Sequence, residues 1–416
     1  MLKKLWLMLL AIGPGIFCIG YTIGTGSVTS MSKAGSEFGT QLLWVLALSC
    51  LFTWVLMEAY GRCAVVTGET AIHSFKTKFK FGKLIAILII AGVSVGQWCC
   101  LSGLVGLSSS ALFESFKLLF PSIGGNSYWL ILLISVLIMA VMYIILWVGT
   151  YSIFEKVLVF FVTILGLSFI ISMFMVLPSP SLIVKGLVPS IPNVEGANLM
   201  IAAFVGTTMA APTFVVRPLL VKSKGWDKAE DGYSAQCRDS FLSAFLMFVI
   251  SASVMICATG ALFSEGKVVT NVLDMANSLR PFAGKFAVAL FLVGTLSAGL
   301  SSTLPIMMVA PLLISDYNKG KMVTKSVMFR SLTAIAAVIG LTVPILGANP
   351  ILAQIATQVA QVFSLPLVVV SIIFLVNMKD MGRHKAGILL NIGLAAAFVF
   401  SLVMSYIAVL GLKDFF

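Results

Sequence analysis

The sequence predicts an all-α polytopic membrane protein of about eleven transmembrane helices, and three features lead there. Of 416 residues, 60% are hydrophobic and only 10% are charged, where a soluble domain carries roughly 25% charged residues. Mean hydropathy is +1.09. The apolar residues gather into long runs, and a helix needs roughly 20 of them to cross hydrocarbon. What remains suffices for short loops and no extramembrane domain.

In chain order the runs place spans at roughly 8–32, 41–63, 84–113, 128–149, 153–177, 198–221, 239–263, 286–315, 327–347, 350–376 and 387–411. The first follows Lys3-Lys4 and mimics a secretory signal. It runs on past signal length without a convincing cleavage site, so it reads as a span. Lys76, Lys78, Lys80 and Lys83 precede the third span, and Lys222, Lys224, Lys228 and Arg238 follow the sixth. Lys319, Lys321 and Lys325 follow the eighth, and Lys379, Arg383 and Lys385 precede the eleventh. All these connections share one side. The positive-inside rule then predicts a plasma-membrane protein with a cytoplasmic N-terminus and an external C-terminus.

Composition also excludes other functions. The formal charge of +12 lies in separated loops, which argues against nucleic acid as a partner. The seven cysteines lie mostly in apolar runs without a CxxC, and His73 and His384 fall in predicted loops. Zinc sites, disulfide frameworks and Cys–His nucleophiles lose support. No enzyme and no cofactor is expected. The expected partners are the lipid bilayer and a small inorganic ion, with the oligomeric state left open.

Two spans are interrupted by small residues. The first carries Gly20, Gly24 and Gly26 among Thr22, Thr25 and Ser27; the sixth carries Gly206, Pro212 and Pro218 among Thr207, Thr208 and Thr213. One such span would be ordinary, because Gly and Pro are common in membrane helices. Two of them five spans apart predict inverted repeats, 1–177 and 178–376, with an eleventh helix and C-terminus at 377–416. Interrupted helices at matched positions point to a midplane binding site in a secondary transporter.

The residues also resemble a known family. Gly13-Pro14-Gly15, Ala34-Gly35-Ser36-Glu37-Phe38-Gly39, Leu42-Leu43-Trp44-Val45, Arg62 and Val66-Thr67-Gly68 are similar to the opening of NRAMP divalent-metal transporters. Ser301-Ser302-Thr303, Gln358 and Leu365-Pro366 add to the likeness. The resemblance covers nearly the whole chain and implies a LeuT-like fold, with Mn²⁺, Fe²⁺ and related ions carried together with protons. The motifs of the family's site are absent. Gly24-Thr25-Gly26-Ser27 stands where the family has Asp-Pro-Gly-Asn, and Ala210-Ala211-Pro212-Thr213 where it has Met-Pro-His-Asn. Gln97 and Cys100 occupy the region of its span-three acids, and Arg217 replaces a second histidine.

The 15 acidic residues all fall, on this reading, in loops or near span ends, with Glu58 pairing with Arg62 one turn on. Stripping water from a divalent ion without anionic or soft ligands is costly, so proton-coupled transition-metal transport loses support. The candidate substrate residues are Gly24, Thr25, Gly26, Ser27, Gln97, Ala210, Thr213, Arg217 and Gln358. Free N–H groups at two half-helix N-termini and the added arginine favour a small anion such as bicarbonate. A divalent cation, chiefly hydrated Mg²⁺, is the alternative, and a non-transporting sensor the next. Ser301, Ser302 and Thr303 form a candidate Na⁺ site, with Na⁺ as coupling ion. Arg217 has two readings: it faces the site, or it snorkels to an interface about 7.5 Å of helix rise away.

Overall fold

Hydrocarbon offers backbone groups no water, so a chain crossing it as α-helices bonds each segment internally. The computed structural model describes residues 13–120, 127–148, 151–194, 196–263, 266–269 and 280–415. Residues 8–12 of the first predicted span lie outside them. That span is two half-helices, α1 (Gly13–Thr22) and α2 (Thr25–Phe38). Spans two to five are α3 (Leu43–Thr67), α5 (Gly82–Leu119), α6 (Ser127–Val148) and α7 (Tyr151–Met175), with short α4 (Ala71–Lys78) and α8 (Pro180–Gly186) in the connections. The sixth span is again divided, into α9 (Ala197–Thr208) and α10 (Ala211–Ser223). Spans seven and eight are α11 (Gly232–Leu262) and α12 (Arg280–Lys319). Next come α13 (Val327–Gly340), its short continuation α14 (Thr342–Leu346), the divided tenth span α15 (Pro350–Val362) and α16 (Leu365–Val376), and α17 (Ile388–Phe415).

Ten spans are long and apolar enough on their own among the described residues; the α1/α2 pair makes the eleventh. The residues from Ala197 to Ser223 are 94% buried across their most apolar stretch, against 28% for Ser127–Val148 and 33% for Ile388–Lys413. The sixth span is therefore central and the fourth and eleventh face lipid. In the first span every described residue except Lys33 and Glu37 is buried. The α12 helix packs on α5 and α7, α11 packs on α2 and α3, and α15 packs on α5 and α9.

Two helices outrun their apolar runs, and a third span divides within its run. The α11 helix begins at Gly232 and so contains Asp239, α12 runs on to Lys319 and contains Asp316, and the tenth span breaks at Phe363–Ser364. Hydropathy stops at the first polar residues, whereas a helix continues wherever neighbours satisfy them. Asp239 and Asp316, read from sequence as lying in loops or near span ends, are buried within helices. Asp316 accepts hydrogen bonds from the Thr70 hydroxyl and the Ile72 N–H, fixing the start of α4. The tenth-span break precedes Pro366, whose ring disfavours helical geometry just before it.

At the lysine-rich end, Lys78 lies 2.9 Å from Glu69 and 2.6 Å from Asp380, tying α4 to the connection before α17. Desolvation alone would raise the Glu69 carboxyl, but hydrogen bonds from Lys78 and Ser74 outweigh it and hold it below its usual value. The Lys78 hydrogen bond and charge lower Asp380. Lys78 is partly desolvated, yet the two carboxylates raise it. Depressed carboxylates contribute stability above their unfolded values, about 4, and lose it as pH falls through the folded ones. The raised lysine contributes below about 10.4 and loses its share as pH rises through its folded value. Lys78→Met should lower the thermal midpoint in detergent by on the order of 1 °C between about pH 5 and 9. The difference from wild type should vanish below about pH 3; a gap that persists there would mean the tie is not electrostatic.

Candidate functional site

A half-helix ending inside a membrane leaves its last carbonyls without intrahelical partners. Here hydroxyls from neighbouring helices supply them. Ser302 Oγ on α12 donates to the carbonyls of Gly20 at 2.5 Å and Tyr21 at 3.4 Å. Thr207 Oγ1 on α9 donates to the Thr22 carbonyl, and Thr53 Oγ1 on α3 to the Thr208 carbonyl. The following halves start without side-chain caps, at Gly24 in extended geometry and at Ala210. Pro212 sits in the first turn of α10, where its missing N–H costs nothing.

Between the two breaks lies a buried cavity with about 20 Å³ of room, enough for roughly one water or a bare ion. Gly24, Gly26, Ser27, Ala210, Gln97 and Gln358 line it, all candidates from the sequence, together with Ser302. It is level with the middle of α5, at Gln97 and Cys100, and the middle of α12. Gly26 lets the two glutamines approach: a Cβ there would stand 2.0 Å from Gln358 Nε2 and 2.7 Å from Gln354 Nε2, so both amides would have to move. No Asp, Glu, Lys, Arg or His lines the cavity among the described residues.

The polar lining is largely amide and hydroxyl. Gln97, Gln354 and Gln358 are each 1% exposed. Gln358 Oε1 accepts from Ser30 Oγ at 2.6 Å, and Gln354 Nε2 donates to Cys100 Sγ at 3.5 Å. Gln97 Oε1, Gln354 Oε1, Gln358 Nε2, Thr22 Oγ1 and Tyr21 Oη have no protein partner. A buried polar atom left unbonded costs about 1–3 kcal/mol, so this cluster is built for a guest. Sequence reading missed Tyr21, Leu104, Ile306, Gln354 and Gln361. The signal for two of them was present: Gln354, Gln358 and Gln361 recur at helical spacing on one face of an apolar span.

Other sequence candidates lie off the cavity. Thr25 turns toward α12, where a Cβ on Gly299 would meet its methyl at 3.0 Å. Ser301 and Thr303 hydroxyls donate back to the Ala298 and Gly299 carbonyls of their own helix. Thr213 is buried against α1, with Cys18 Sγ donating to its carbonyl. Arg217 is fully buried, which corrects the interfacial reading, and it does not reach the cavity. Its Nη2 binds Asp239 Oδ2 and Ser240 Oγ, each at 2.8 Å, and the Gln236 carbonyl at 3.3 Å. The Gly15 N–H donates to the other Asp239 oxygen, so the pair binds α1, α10 and α11 together. Its charge is matched by Asp239, which the sequence had placed at the edge of the seventh span.

Removing one partner of a buried ion pair strands the other charge, at about 3–5 kcal/mol, whereas replacing both by apolar residues is often neutral. Arg217→Met alone should therefore destabilise by about 3–5 kcal/mol, and Arg217→Met with Asp239→Leu should recover most of it. Thermal unfolding in detergent reads both. A double variant no better than the single one would mean that Arg217 acts through something other than Asp239.

Residues 15–411 match the family described as natural resistance-associated macrophage protein-like (Nramp). The divalent metal cation transporter MntH of Brucella suis is 26% identical over 425 residues, covering 97% of this chain and 88% of its own length. Metal transporter Nramp3 of Oryza sativa is 22% identical, covering 92% and 70% respectively. Among solved structures, the manganese transporter of Eremococcus coleocola superposes with TM-score 0.73 at 16% identity, over 97% of this chain and 86% of that one. Mhp1, a nucleobase-cation-symport-1 family transporter, superposes with TM-score 0.62 at 16% identity over 97% and 90%. These likenesses show a LeuT-like fold of two inverted five-helix repeats with first and sixth helices broken. The match over nearly the whole length, on a broken-helix frame with its cavity at the breaks, makes the chain a multi-pass membrane protein that belongs to the Nramp family.

Proposed function

We propose that the chain is a divalent-metal carrier working by alternating access, taking a hard cation such as Mg²⁺ or Mn²⁺ through a neutral site of amide and hydroxyl oxygens. The observation that carries this is the pair of unpartnered side-chain carbonyls, Gln97 Oε1 and Gln354 Oε1, beside a cavity of about one water's size. Carbonyl oxygen accepts and does not donate, and uncharged oxygen ligands suit hard cations. The names of the relatives, divalent metal cation transporter and manganese transporter, support the same substrate class.

On this reading the repeats 1–177 and 178–376 rock about the cavity, with 377–416 as an appended helix. The lysine-rich end faces the cytoplasm of a plasma membrane and the C-terminus faces outside. With no carboxylate or histidine at the cavity wall among the described residues, transport needs no proton gradient through these groups. Na⁺ remains the candidate coupling ion, through Ser302 and the span-one carbonyls that it meets. Bicarbonate is the second reading. The uncapped starts of α2 and α10 and the free Gln358 Nε2 favour it, but Arg217 no longer does, because its charge is matched by Asp239.

The test is Mg²⁺ and Mn²⁺ influx into proteoliposomes carrying an entrapped divalent-sensitive dye, at equal pH on both sides. Saturable influx of either ion is expected, with no accompanying change in internal pH. Folded protein that admits neither ion, but takes up bicarbonate with or without Na⁺, would replace the cation by the anion. Flux of neither would favour a non-transporting sensor.

A further inference from the structure

We propose that Gln354 sets ion selectivity, its side-chain carbonyl acting with that of Gln97 as the oxygen pair that replaces water around the ion. The proposal rests on the cation reading above. It assigns the leading role to a residue one turn away from Gln358, which the resemblance singles out.

Hydrogen bonding separates the two glutamines. Gln358 offers its oxygen to Ser30 Oγ at 2.6 Å and leaves its nitrogen free. Gln354 does the reverse: its nitrogen donates to Cys100 Sγ at 3.5 Å and its oxygen has no partner. A cation needs the oxygen. Gln97, on α5 one turn before Cys100, also leaves its oxygen unpartnered. The unpartnered side-chain carbonyls of the cavity thus stand on α5 and α15, and the hydroxyls of Tyr21 and Thr22 on α1 are unpartnered beside them.

The surroundings hold Gln354 in that pose. A Cβ on Gly26 would lie 2.7 Å from its nitrogen, and a Cβ on Gly103 2.7 Å from its oxygen. Two helices therefore carry glycine where this amide passes, and no larger residue fits without displacing it. Cys100 fixes which way the amide faces. An amide clamped on three sides has little rotamer entropy to lose when an ion arrives, which preorganises the ligand.

Gln354→Met keeps the length of the side chain and exchanges a hard carbonyl for a soft thioether. The ratio of kcat/KM for Mn²⁺ over Mg²⁺ in the same liposomes should rise by at least about 10-fold, following ligand softness. Gln358→Met should move that ratio by less than about 3-fold, since its oxygen already serves Ser30. Thermal unfolding of each variant in detergent certifies the fold, and a purely structural role for Gln354 would depress both ions equally. An unchanged ratio in Gln354→Met, with wild-type flux intact, overturns the inference and leaves the cation reading standing. Absence of divalent flux in the wild type overturns that reading and the inference with it.

Discussion

The structure depends on satisfying a broken backbone in a medium without water. Each interruption in the first and sixth spans frees carbonyls that hydrocarbon cannot solvate. Ser302, Thr207 and Thr53 take them up from three other helices. This requirement fixes where α12 and α9 stand against the first span and where α3 stands against the sixth, and it makes the centre of the bundle polar without making it charged. A binding cavity follows from the same arrangement, because the backbone that turns aside leaves a space that glycine keeps open.

Charge is handled away from that space. Arg217 with Asp239, Lys224 with Glu155, and Arg62 with Glu58 each link two groups whose isolation in a low dielectric would be costly. All three lie toward the lysine-rich end of the bundle, and the first ties α10 and α11 to the start of α1 through Gly15. The net effect is a neutral cavity above a belt of internally matched charges. An ion entering such a site meets dipoles, so its affinity follows the fit of oxygen positions to its radius and hydration rather than a full opposing charge.

The glutamines show how far a sequence can be read. Gln97 and Gln358 stand out singly because an amide in an apolar span needs a partner. Gln354 and Gln361 carry the same information as a stripe on one helical face, yet which members meet the cavity depends on the rotation of α15 against α5 and α9. Thr25 and Thr213 illustrate the converse. Both lie at the breaks by sequence position, yet neither lines the cavity: the Thr25 methyl faces Gly299 on α12, and the Thr213 carbonyl meets Cys18 on α1. Arg217 is the clearest case, since its partner Asp239 is 22 residues away on another helix, at the very edge of the apolar run that marks the seventh span.

Hydropathy, glycine and proline placement and the lysine asymmetry determined by themselves that this chain is a bundle of about eleven membrane helices with its first and sixth broken at corresponding depths. Those properties are local: each depends on the transfer energy of a run or on the backbone freedom of a few residues. The composition of the site was decided only by tertiary structure. Which hydroxyl caps which carbonyl, which glutamine leaves its oxygen unpartnered, and whether Arg217 is free or matched all depend on contacts between separate helices, 282 residues of chain apart for Ser302 and Gly20 and 22 for Arg217 and Asp239. A hydrogen bond or ion pair acts over about 3 Å, and helical phase at that scale is set by packing, not by the run that names the span.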